Sequence, residues 1–171
     1  METILIQPMD ESAFEPFGDI IDFNRNADYA INNGMCDRYH ALARTEAMGE
    51  GAQTVISLGR GKPYQLPLTL EMVERHPLGS QAFIPLGEDP FLVVVAPDED
   101  GLPGLPHAFL TKPGQGVNYR RNTWHSVLTP LNKTMDFLIV DREGEGDNLE
   151  EHFFDTPYVI ANTRVALTDR E

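Results

Sequence analysis

The sequence predicts an all-β (mainly β) chain with few short helices, closing as a sandwich, a jelly roll or a barrel. Three observations carry that expectation. About ten short segments are β-branched, aromatic or apolar, turn residues recur between them, and no stretch keeps the period of a long amphipathic helix. The 171 residues, 41% of them apolar, suffice for one shared core. An open sheet of this size would expose its edges, so closure or edge pairing in a dimer is expected.

Ile4 to Gln7 begins the chain as a short apolar segment before Pro8, and Asp10 or Ser12 can cap a helical turn that Gly18 ends. Asp19 to Phe23 reads as a strand, and the Asn32-Asn33-Gly34 turn leads into a second over Arg38 to Leu42. Thr54 to Leu58 is β-branched and apolar, and Gly59-Arg60-Gly61-Lys62-Pro63 is expected to break it. Leu66 to Val73 follows with Pro67 marking an edge or bend, and Phe91 to Ala96 is the most apolar strand. Beyond an acidic loop from Pro97 to Pro106, strands are expected at Ala108–Thr111, Gly116–Tyr119, Trp124–Leu128 and Thr134–Val140. A short helix is expected from Asn148 towards Phe153. Residues 1–171 read as one domain, with 152–171 a C-terminal tail to which the sequence assigns no role and which either packs as a strand around Tyr158 to Ile160 or trails.

Thirteen Lys and Arg against 27 Asp and Glu give a net charge of −14. That argues against a nucleic-acid surface, which needs clustered cations. The longest apolar run is far short of the ~20 residues that span a bilayer, so no membrane partner is expected. The N-terminal residues carry neither a basic start nor an apolar core of a signal peptide, and Cys36 is the single cysteine, so a reducing, cytoplasmic setting is the expectation. In so acidic a chain, an anionic small-molecule substrate must be met by a local cation.

The densest polar neighbourhood is Glu74-Arg75-His76 with Gln81. Alternation along a strand places Glu74 and His76 on one face and Arg75 on the other. His125, next to Trp124 as a pocket wall, forms a second such neighbourhood with Asn118, Tyr119, Arg120 and Arg121. Each histidine alone is as readily a hydrogen-bonded structural group as a catalytic one; the pair on adjacent strand blocks favours a site. Arg75 and Arg121 beside them suit bidentate capture of a carboxylate. Asp136 interrupts an apolar strand, where it either bonds structurally or orients a site residue.

Glu74, His76 and Gln81 also resemble the first metal-binding signature of the cupin superfamily, with glutamate in place of its first histidine and glutamine in place of its glutamate. With His125 they make a candidate set for a divalent metal such as nickel or zinc. Direct acid–base use without a metal is the other reading.

Five blocks in order, INNGMCDRYHALA, LPLTLEMVERHPLGSQAFIPL, FLVVVA, GQGVNYRRNTWHSVLTPL and DFLIVDREG, resemble the ureidoglycolate lyase family, with RHPLGSQAFIP and GVNYRRNTWH the specific parts. The resemblance implies a cupin-like β-barrel, a homodimer, and cleavage of (S)-ureidoglycolate to glyoxylate and urea in allantoin breakdown. It also implies nickel as the metal, and no organic cofactor is expected. In such an enzyme His76, His125 and Tyr119 would be catalytic. Arg75, Gln81, Asn118, Arg121, Trp124 and Asp136 would bind the substrate, and Glu74, His76, Gln81 and His125 are the possible metal ligands. Two alternatives are an amidohydrolase releasing ammonia and a non-catalytic barrel that binds a small acid such as glyoxylate.

Overall fold

The computed structural model describes residues 1–162. Its strands are β1 (Thr3–Pro8), β2 (Gly18–Ile21), β3 (Tyr29–Ile31), β4 (Cys36–Arg38), β5 (Gln53–Gly61), β6 (Leu68–Arg75), β7 (Gln81–Pro85), β8 (Phe91–Ala96), β9 (Asp98–Glu99), β10 (Leu102–Pro103), β11 (His107–Leu110), β12 (Gly116–Tyr119), β13 (Trp124–His125), β14 (Thr129–Pro130), β15 (Met135–Glu143) and β16 (Glu150–Ala161). The only helix among the described residues is α1 (Glu11–Phe14), capped by Asp10, whose carboxylate accepts from the Ala13 N–H at 2.8 Å.

β11, β1, β16, β6, β13 and β8 hydrogen-bond in that order, and β11 pairs back onto β8, so six strands close into a barrel. The barrel is mixed: β1 runs parallel to β11 and β16, and the other pairs are antiparallel. A five-stranded sheet, β2-β12-β7-β15-β5, lies beside it. The all-β, cupin-like expectation holds.

β8 belongs to two cores at once, which explains why its sequence is an unbroken apolar run. Leu92, Val94 and Ala96 enter the barrel core with Ile4, Leu70 and Trp124, while Phe91, Val93 and Val95 face the second sheet with Phe83, Tyr119 and Phe137. A strand buried on both faces has no polar side to alternate.

Several local expectations are corrected. β5 runs through Gly59 and Arg60, inside the expected break, and ends at Gly61 ahead of Lys62-Pro63. A Cβ at Gly59 would stand 2.7 Å from Ile139 Cδ1, and one at Gly61 2.6 Å from Pro130 Cγ. Gly59 admits a close neighbour inside the strand, and Gly61 admits one at its end. The strand expected at Arg38–Leu42 ends at Arg38, because Ala41 turns the chain with φ +48°. Residues from Asn148 to Phe153 form no helix: Glu150–Ala161 is β16, which pairs with β6 and β1 and completes the barrel. The expected tail thus contributes residues 152–161 to a barrel strand, and its remainder lies outside the described residues.

Candidate functional site

Register decides which side chains meet. His125 in β13 stands opposite both Glu74 in β6 and Val95 in β8. Val95 faces the second sheet, so His125 and Glu74 point the same way. From that sheet, Tyr119 of β12 reaches across, and its ring lies flat on the His125 imidazole, centroids 4.2 Å apart and planes within 4°. His76 follows β6 directly, its ring centroid 5.2 Å from that of His125. Ligand atoms of Glu74, His76 and His125 all fall within 4.8 Å of one another.

Main-chain carbonyls set both imidazoles. His76 Nδ1 lies 2.7 Å from the Asn148 carbonyl oxygen, and His125 Nδ1 lies 2.9 Å from that of Ser126. A carbonyl only accepts, so each Nδ1 carries a proton, and in the neutral ring the lone pair is then on Nε2. Both Nε2 atoms are buried with no hydrogen-bond partner among the described residues, as is Gln81 Oε1. Buried lone pairs without donors are costly unless something electrophilic or protic arrives.

Burial sets the charges. The His125 imidazole is held down to about 3, chiefly by desolvation with His76 adding to it, against the opposing hydrogen bond to Ser126. It is therefore neutral near pH 7 and offers a lone pair. Desolvation raises the Glu74 carboxyl above the ordinary range, with a contribution from Glu151, while His76 opposes it. Desolvation, then Glu74, raises the Tyr119 phenol, which stays protonated. Two imidazole nitrogens and one carboxylate are a donor set that suits a divalent ion of the nickel or zinc kind. The cluster can hold a metal on the chemistry of its own atoms.

Comparison with known proteins fits this arrangement. The family profile described as ureidoglycolate lyase matches residues 1–161. The chain belongs to the ureidoglycolate lyase family. It is 61% identical over 160 residues to a ureidoglycolate lyase of Chelativorans sp. (strain BNC1), covering 94% of this chain and 97% of the relative. Ureidoglycolate lyase 2 of Rhizobium meliloti (strain 1021) is 59% identical, covering 91% and 95% respectively. A third relative named ureidoglycolate lyase, from Mesorhizobium japonicum, is 58% identical, covering 94% and 98%.

In this ureidoglycolate lyase family member, the structure brings Glu74, His76, His125 and Tyr119 together, with Gln81 opposite Tyr119 across β7 and β12. It does not bring all the predicted residues there. Arg75 leaves β6 on the other face, bonded to Glu150 at 2.6 Å and Asp98 at 2.8 Å, with its guanidinium 4.3 Å above the ring centroid of Trp124. Trp124 itself belongs to the barrel core and donates to Asp98. Asn118 alternates away from Tyr119 and donates to Asp19. Asp136 is spent on an exposed pair with Arg60. Arg121 stays at the rim, donating to the carbonyl of Pro77 beside His76 and facing Glu46.

Asn148 is the residue that sequence reading missed. Its carbonyl holds His76, and its side-chain oxygen accepts from the Leu78 N–H at 2.8 Å, so one residue fixes both flanks of Pro77. A backbone acceptor has no signature in sequence. The only available hint was an asparagine just ahead of a strand, where its amide commonly bonds a neighbouring main chain.

Proposed function

We propose that this chain is a carbon–nitrogen lyase that cleaves (S)-ureidoglycolate to glyoxylate and urea, a late step of allantoin and purine-nitrogen breakdown. The observation that carries this reading is the convergence of two unpartnered imidazole Nε2 atoms with the Glu74 carboxyl. Conversion of the carbinolamide consumes no water. The hydroxyl O–H breaks as its carbon becomes a carbonyl, the C–N electrons leave with nitrogen, and that nitrogen takes a proton.

Without a bound metal, Glu74 is the proton carrier in this reading. Its raised proton affinity suits taking the hydroxyl proton and returning it to the departing urea nitrogen, a role worth roughly 10²–10⁴-fold. His125 is too weak a base for that transfer and serves as a lone-pair donor. The neutral Tyr119 hydroxyl donates to the substrate, and Arg121 at the rim meets its carboxylate. Glu74, His76 and His125 would hold a divalent metal, nickel by family resemblance. When bound, it would supply Lewis acidity that makes the substrate hydroxyl easier to deprotonate.

The test measures both nitrogen products. Urea and glyoxylate are expected in equal amounts from ureidoglycolate, and ammonia in place of urea would overturn the lyase reading. His76→Ala is expected to lower kcat/KM at least about hundredfold, with loss of bound metal by elemental analysis.

The homodimer belongs to the same proposal. β5 is an edge strand whose outward Ile56 and Leu58 are 72% and 74% exposed, a surface that a second copy would cover. A monomer by sedimentation would remove that element alone. No helix among the described residues is long and apolar enough to cross a membrane. The cytoplasmic setting rests on Cys36, an exposed free thiol.

A further inference from the structure

β15 carries two aspartates of opposite fate. Asp136 faces outward to Arg60, whereas Asp141 shares the inner face of Met135, Phe137 and Ile139. Asp141 lies one step past the Val140–Ala82 pair of β15 and β7, which sets it beside Gln81. Among the described residues it enters no ion pair; its Oδ2 accepts from Gln81 Nε2 at 3.3 Å.

That contact fixes the orientation of an amide. A carboxylate can only accept, so the Gln81 NH₂ must face Asp141 and the carbonyl oxygen must face away. Oε1 is the atom left buried and unpartnered. Gln81 stands directly opposite Tyr119, whose ring covers His125, so Oε1 opens onto the face that carries the imidazoles. A buried acceptor there is favourable only once a donor fills it.

We propose that Asp141 is a positioning residue: it locks the Gln81 amide so that Oε1 accepts an N–H from the ureido end of the substrate, and the site thereby selects ligands with a terminal N–H donor. This rests on the lyase reading for the identity of the substrate. Without Asp141 the amide can turn its NH₂ inward and oppose donor to donor. A site built to accept from N–H discriminates strongly against a ligand lacking it, because its own acceptor is then left unpaired.

A charge-swap cycle tests the pair. Gln81→Glu alone sets two carboxylates against each other, and Asp141→Asn alone frees the amide. Together they restore one donor, one acceptor and the same net charge. Each single variant is expected to raise KM for ureidoglycolate about tenfold or more, and the double variant to return to within about threefold of wild type. The second readout is binding of ureidoacetate, which lacks the reactive hydroxyl, against its N′,N′-dimethyl form. Wild type and double variant should prefer ureidoacetate at least about tenfold, and Asp141→Asn should lose that preference.

Additive single effects, or a preference untouched by Asp141→Asn, would overturn the proposal. So would variants whose loss is of bound nickel and not of ureidoacetate preference, since Oε1 would then be a metal ligand. If wild type released no urea, the lyase reading would fail by itself, and the ureidoacetate comparison would still decide the role of Asp141.

Discussion

His125→Phe gives the buried imidazole a measurable consequence. The unfolded chain takes up a proton on this side chain below its ordinary 6.5, whereas the folded chain does not until about 3. Between those limits unfolding consumes a proton, so stability falls as pH falls. From pH 8 to pH 5 the loss attributable to this one group is about 2 kcal/mol. Phenylalanine keeps the stacked ring against Tyr119 and cannot titrate, but it gives up the hydrogen bond to the Ser126 carbonyl, at about 1 kcal/mol. Losing the unpartnered Nε2 offsets that cost at every pH, so the expectation lies in the difference: relative to wild type the variant should gain about 2 kcal/mol between pH 8 and pH 5. Guanidinium unfolding midpoints of the chelated proteins at both pH values measure this. Titrating groups remote from His125 are common to both proteins and cancel in the difference. Parallel curves from pH 8 to 5 would mean that His125 protonates in the fold, and the assignment of a neutral lone pair would be wrong.

Glu74→Gln should raise Tm of the metal-free protein at pH 7, because a carboxyl with a raised pKa costs stability above that pKa; kcat should fall at least about hundredfold. Arg75→Met should cost about 1–2 kcal/mol, discounted because Asp98 and Glu150 are half in water. Its kcat/KM should stay within about threefold, since Arg75 leaves β6 opposite to Glu74; a larger fall would return Arg75 to the substrate. Asp136→Ala, on the outer face with Arg60, should leave kcat/KM within about twofold by steady-state assay.

Alternation carried much of the fold. It placed Glu74 and His76 together against Arg75, and the apolar run of β8 marked the strand with two buried faces. The same parity could have separated the aspartates of β15, since Asp141, and not Asp136, is in phase with Met135, Phe137 and Ile139. Other features left no such mark. The passage of β5 through Gly59 to its end at Gly61 lies against Ile139 and Pro130, which are remote in sequence. Leu70 and Val73 both enter the barrel core, a change of phase in β6 beside the register shift of β16 between Phe153 and Tyr158. The stacking of Tyr119 on His125 requires two sheets to face each other, which no local spacing encodes.

The carbonyls of Ser126 and Asn148 that hold the two imidazoles are common to every amino acid. A substitution at position 126 changes a side chain and leaves that acceptor in place, so the tautomer of His125 is inherited with the path of the main chain; at position 148 the carbonyl also remains, but the side-chain bond to the Leu78 N–H is lost. Sequence drift around the site can then proceed without retuning its lone pairs. An engineer who wants a different ring nitrogen exposed would have to move the backbone itself, by a bulge, an insertion or a shifted register next to β13 or β16.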